Sequence, residues 1–196
     1  MASETRSYLA VSKEAVAWVK AMVPFGASNR PSDYVESWKK NRKKIEGPDP
    51  GVLDKVLGGM TAFLPLLTGA NRAMQIGNEV SGNAPSDYVS RFRQISEITL
   101  RTKAGNCNEQ SITAFVWLLD RGVRPLAWMH LTNGKHAFVV VGRKPGSGAD
   151  PTKWGDGCVV CDPWAGEAYS LPAVQAGAIL QTKWGCGTAN AEFGVA

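Results

Sequence analysis

Apolar residues recur at two periods along this chain, and the period changes at Asp120. Before it, apolar positions fall three and four residues apart, the spacing of helices; after it they come in short runs bounded by turn residues, the spacing of strands. Ala15, Val16, Val19, Met22 and Val23 mark one face of a first helix, with Ser12 as its expected N-cap and Pro24 and Gly26 as its end. Pro31-Ser32-Asp33-Tyr34-Val35 opens a second helix that closes in the basic run 39–44, where cations suit the end of a helix dipole. Gly47-Pro48-Asp49-Pro50-Gly51 is a break. Residues 56–70 carry no charge, are too short to span a bilayer and contain Gly58, Gly59 and Pro65; they predict a buried helix or helix pair. Pro85-Ser86-Asp87-Tyr88-Val89 repeats residues 31–35 letter for letter and, with Ser86 as cap, leads a helix through Arg91, Phe92, Ile95 and Ile98.

The helix that follows is apolar on nearly every side: Ile112, Ala114, Phe115, Val116, Trp117, Leu118 and Leu119 predict burial all round, and Gly122 ends it. Residues 124–132 then read as a strand, Asn133-Gly134 as a hairpin turn and 135–141 as the return strand. Residues 142–157, rich in Gly, Pro, Ser and Asp, predict a mobile loop. Val159–Asp162 is a third strand, Ser170-Leu171 the place of a fourth, and 172–181 a short helix; the tail after Gly185 has little to order it. The reading is an α+β chain, a single domain over 1–196, with 1–50 a helical N-terminal extension and 51–196 the core.

Composition narrows this picture without redirecting it. An apolar fraction of 44% with seven tryptophans supplies a full core for 196 residues. The net charge of +5 is mild and comes with no recognised nucleic-acid module, so no nucleic-acid partner is expected. Four cysteines in a chain of this length are not a disulfide scaffold. Cys158 and Cys161 fall in a strand and lack a second ligand pair, so no metal and no cofactor are expected. The first residues have no basic head followed by an apolar run; the expectation is synthesis in a cytoplasm, no transmembrane segment, and any export without a cleaved signal.

Three short segments carry the candidate chemistry. With Asn106 as N-cap, Glu109 falls at the third helical position and completes a capping box, and Cys107 becomes the first helical residue. A sulfur there meets the positive end of the helix dipole, which favours the nucleophilic thiolate. The base must be His130 or His136, the only histidines, on the two strands of one hairpin. His136 lies at the open end of an apolar strand, better placed to face a cleft, and is the choice. Asp162 ends the next apolar strand and is the expected orienting group, ahead of the turn residues Asp150 and Asp156, with Trp164 as a roof.

A cysteine opening a helix, a histidine starting a strand and an Asp-Pro ending the next make residues 100–165 resemble the papain-like and transglutaminase-like cysteine enzymes. The short form, Gly-Asn-Cys-x-Glu with His-Ala-Phe-Val-Val, is most similar to bacterial effector and toxin domains of the protein-glutamine deamidase type. The resemblance implies a papain-like fold, a Cys-bearing helix on a small antiparallel sheet, with Cys107 as nucleophile, His136 as general base and acid, and Asp162 as orienter. It implies amide hydrolysis through a thioester, a protein substrate in a host or target cell, and a possible secretion chaperone or inhibitor. Peptidase and transglutaminase activities use the same residues. The glutamine that secreted papain-type peptidases carry before the nucleophile is missing: Arg101 stands six positions before Cys107, leaving Asn106 and Gln110 as candidate oxyanion donors. The rival readings are a non-catalytic binding module on the same fold and a membrane-active or nucleic-acid-binding effector using residues 39–44.

Overall fold

A computed structural model describes residues 2–24, 26, 27 and 87–196. The expected helix at 31–44, the break at 47–51, the uncharged run 56–70 and the boundary near residue 50 lie outside the described residues. Within them the fold is α+β. Its elements are α1 (Ala2–Met22), α2 (Tyr88–Thr102), α3 (Cys107–Asp120), β1 (Leu126–Leu131), β2 (Ala137–Val141), β3 (Val159–Asp162), β4 (Glu167–Ser170), α4 (Ala173–Trp184) and β5 (Ala189–Val195). The five strands form one antiparallel sheet in the order β4-β3-β2-β1-β5.

The sheet is covered on both faces, so β2, with five apolar residues in a row, is buried throughout. On one face Val139, Val141, Val159 and Cys161 join Ala15, Val16 and Val19 of α1 and Ile112, Phe115 and Leu119 of α3 in one core. On the other, Phe138, Val140 and Val160 meet Ala176 and Leu180 of α4 and the fully buried Trp154. Cys158 belongs to the second core and Cys161 to the first, so the two thiols lie on opposite sides of the sheet, as odd spacing along a strand requires.

Several expectations are corrected. The first helix begins well before Ser12, whose side chain is buried inside it; Tyr8, Leu9 and Val11 pack against the core and draw the helix back toward Ala2. The cap of α2 is Asp87, one residue later than expected, accepting from the Val89 N–H at 3.0 Å. The 142–157 segment is folded around Trp154, whose indole N–H donates to the Gly148 carbonyl at 3.0 Å, with a short 3-10 turn at Pro151–Lys153. The tail forms β5 along the edge of β1, held by Phe193, which stacks on Tyr88 at 5.1 Å and meets Phe92 at 5.4 Å. Among the described residues no helix is long and apolar enough to cross a membrane.

Candidate active site

The N-terminus of α3 is built by its sequence. Glu109 folds back and accepts from the Asn106 N–H at 2.8 Å, the return arm of the expected capping box. Gly105 permits this: a Cβ there would stand 2.7 Å from the Glu109 Cβ and 3.1 Å from the Thr99 Cγ2. The Gly105 N–H donates to the Gly26 carbonyl at 3.0 Å, tying the loop before the cysteine to the end of α1. Burial raises the Glu109 carboxyl above the usual range, with the backbone bonds opposing. Cys107 follows as the first residue of the helix and stays partly open to solvent.

His136 precedes β2 and Asp162 closes β3, so the ladder between these strands sets both at one end of the sheet. The imidazole Nε2 and the Asp162 Oδ2 are 2.7 Å apart, and the two residues are 5% and 0% exposed, which leaves water no route to the bond between them. The second carboxylate oxygen accepts from the Ala165 N–H at 3.0 Å. The Cys107 sulfur lies beside the imidazole, close enough to raise its pKa. With Nε2 on Asp162, Nδ1 is the nitrogen left for the sulfur. Burial opposes a charge on His136, but the bonds to Asp162 and Cys107 outweigh it and push the imidazole up to about 9 from 6.5. At neutral pH the ring is an imidazolium. The structure thus brings Cys107, His136 and Asp162 together.

Rings enclose the imidazole. Trp164, the expected roof, lies 5.1 Å from it between centroids, Phe138 is at 6.0 Å, and Trp184 is stacked on it at 4.0 Å with 25° between planes. The sequence reading missed Trp184: it belongs to α4, and nothing in the local pattern there signals a site.

His130 lies beside this centre with a different partner. Its Nε2 donates to the Asn108 Oδ1 at 2.9 Å, since an amide oxygen can only accept, and its ring meets Trp128 at 4.4 Å. Burial foremost, and His136 with it, hold His130 below the usual histidine range, although Glu192 opposes. Of the two candidate oxyanion side chains, Gln110 is turned away: it is fully buried and its amide donates to the Gly105 carbonyl at 2.7 Å. Asp150 caps the 3-10 turn, accepting from the Thr152 N–H at 3.0 Å, and has no part in the site. Cys158 and Cys161 are buried; burial raises both thiols, Cys158 to about 11. Cys186 is partly open and lowered to about 7, first by its bond to the Thr132 hydroxyl and then by the Thr188 backbone. Among the described residues no cluster of His, Cys, Asp and Glu is arranged to hold a metal ion. No protein-family model matches the chain, and no curated protein matches it.

Proposed function

We propose that the chain is a cysteine-dependent amide hydrolase with a papain-like core, a bacterial effector that deamidates a glutamine side chain of a target protein. The observation that carries the reading is one imidazole bonded to a buried carboxylate and standing beside a cysteine that opens a helix. A buried His–Asp pair serves structure alone in many folds. A partly exposed sulfur beside the ring is what a nucleophilic centre adds to it.

In the reaction, the Cys107 sulfur attacks the carboxamide carbon and the carbonyl electrons move to oxygen. The oxyanion is received by the Cys107 N–H, at a helical position without an intrahelical partner; such a donor lowers the barrier by about 3 kcal/mol. The C–N bond breaks as the imidazolium gives its proton to the nitrogen, ammonia leaves and a thioester remains. His136, now neutral, takes a proton from water, the hydroxide adds to the thioester, and glutamate departs as the sulfur is regenerated. Asp162 keeps the ring oriented and stabilises its charge throughout.

The resemblance of residues 105–109 and 136–140 to effector and toxin domains supports a protein substrate in a host or target cell, with a secretion chaperone or inhibitor as a further partner. The test is the intact mass of candidate target proteins after incubation with the wild-type chain and with Cys107→Ala. A gain of about 1 Da on a glutamine, absent with the variant, is the expected result. Fragments would make it a peptidase and amine adducts a transglutaminase. Unchanged substrates, together with a Cys107 no more reactive than a free thiol, would leave a non-catalytic binding module.

A further inference from the structure

The imidazole of His136 bonds Asp162 through Nε2 and, in the proposed reaction, must present Nδ1 to the neighbouring Cys107 sulfur, so its ring plane must be fixed as well as its position. A hydrogen-bonded ring can rotate about its side-chain bond unless its faces are held. Three aromatic rings surround it, and one is close and nearly parallel: Trp184, at 4.0 Å and 25°. The others stand at 5.1 and 6.0 Å.

Trp184 is itself restrained. It is the last residue of α4, which ends there because Gly185 takes the left-handed conformation at φ 67° and returns its N–H to the Gln181 carbonyl at 2.9 Å. Ala176 and Leu180 anchor the helix in the core beneath the sheet. Lys183, the neighbouring residue, is ion-paired with Glu167 of β4 and lies over the Tyr169 ring at 4.7 Å. The Tyr169 hydroxyl, buried and without a well-formed hydrogen bond of its own, lies against the Trp184 indole. Trp164 meets the indole at 6.0 Å on the side of the site. The indole is thus set by a helix end, an ion pair and a neighbouring strand, none of which belongs to the three segments that carry the sulfur, imidazole and carboxylate.

We propose that Trp184 is a positioning residue for the reaction: its ring face holds the His136 imidazolium in the one orientation that keeps Nε2 on Asp162 and Nδ1 on the Cys107 sulfur. The inference rests on the amide-hydrolase reading and names what keeps that centre aligned. A tryptophan face attracts a cation through its quadrupole, so the contact favours the protonated ring as well as its plane. The charged and titratable groups facing His136 are Asp162 and Cys107, with His130 more distant. Phenylalanine preserves the stacking face at this position; leucine preserves an apolar cover but has no face.

The experiment compares Trp184→Phe and Trp184→Leu in the full chain. Three quantities are read: the titration midpoint of His136 by NMR, the alkylation rate of Cys107, and kcat and KM on a glutamine-containing peptide. Phe is expected to keep the wild-type midpoint. Leu is expected to move it down by about 1 pH unit, to slow alkylation at neutral pH, and to lower kcat about tenfold with KM little changed. A folded Leu variant with the wild-type midpoint and alkylation rate would overturn the proposal, as would a Phe variant as impaired as Leu. If Leu does not fold, Trp184→Met takes its place with the same criteria. A merely space-filling tryptophan would change melting temperature in the Leu variant and leave the midpoint in place. Should the wild-type chain turn over no peptide, the hydrolase reading fails, while the midpoint and alkylation rate still decide whether Trp184 sets the ring.

Discussion

Gly105 and Glu109 approach so closely at the start of α3 that no side chain fits between them: a Cβ on the glycine would come within 2.7 Å of the glutamate Cβ. This approach puts the Glu109 carboxylate on the Asn106 N–H and fixes the direction in which Cys107 leaves the helix. Gly105→Ala must displace the Glu109 Cβ, which moves only with its own backbone, and crowds the Thr99 methyl. The expected cost is about 1–3 kcal/mol in denaturant unfolding. Loss of Cys107 reactivity should be larger than that stability change implies, because the displaced turn is the one that carries Cys107. Alkylation kinetics on the folded fraction measure it.

Asp162→Asn tests the carboxylate. The asparagine can still accept from the Ala165 N–H, so the turn after β3 survives. The charge opposite the imidazole does not. His136 should then titrate well below its wild-type value, and kcat should fall by at least about 100-fold with the fold intact. Asp162→Ala, which leaves His136 buried without its partner, should also destabilise the chain, by about 2–3 kcal/mol. Circular dichroism and urea titration separate the two variants.

Folding raises His136 from 6.5 to about 9. The folded chain therefore binds this proton more tightly than the unfolded chain. The stability it contributes is complete below pH 6.5 and is lost as pH climbs through about 9. Unfolding free energy should decline between those values in the wild-type chain, and the decline should be absent in His136→Gln. On the deamidase reading, turnover should share an alkaline limb near 9, where the ring loses the proton that the proposed reaction passes to ammonia.

Two of the four thiols should react with a small alkylating agent under native conditions. Cys107 and Cys186 are partly open, whereas Cys158 and Cys161 are buried. Cys186, lowered to about 7, will be modified near neutral pH alongside Cys107. Peptide mapping should find label at both sites and none at the buried pair. In Cys186→Ser the remaining rapid phase should belong to Cys107 and disappear with His136→Ala. Persistence of that phase would separate the sulfur from the imidazole.

The helix bearing Cys107 was readable because its cap and its apolar run are local features: Asn106, Glu109 and the residues after them specify a start and a buried body without outside help. The β1–β2 hairpin was readable for the same reason, from Asn133-Gly134 between two apolar runs. The positions of His136 and Asp162 followed from strand ends. What escaped depends on distant partners. Ser12 looks like a cap until Tyr8 and Leu9 find a core to enter. Residues 189–195 have little strand pattern of their own and become a strand by pairing with β1 and by the seat that Tyr88 and Phe92 give Phe193. Gln110 could be a donor in sequence, but its amide is spent on the Gly105 carbonyl. Trp184 reaches His136 only because α4 docks beneath the sheet.

The first helix supplies no reacting group, yet it touches the segments that do. Gly26, just beyond it, accepts from Gly105; the Ser12 carbonyl accepts from the Cys161 thiol at 3.6 Å; and Lys20 reaches the Trp164 carbonyl at 3.3 Å. One rod near the amino end therefore clasps the stretches that lead to the sulfur and the carboxylate. On the amide-hydrolase reading, a protease that clipped the chain just after this rod and let it drift off should abolish turnover without touching a reacting atom, and adding the rod back as a separate peptide should restore it.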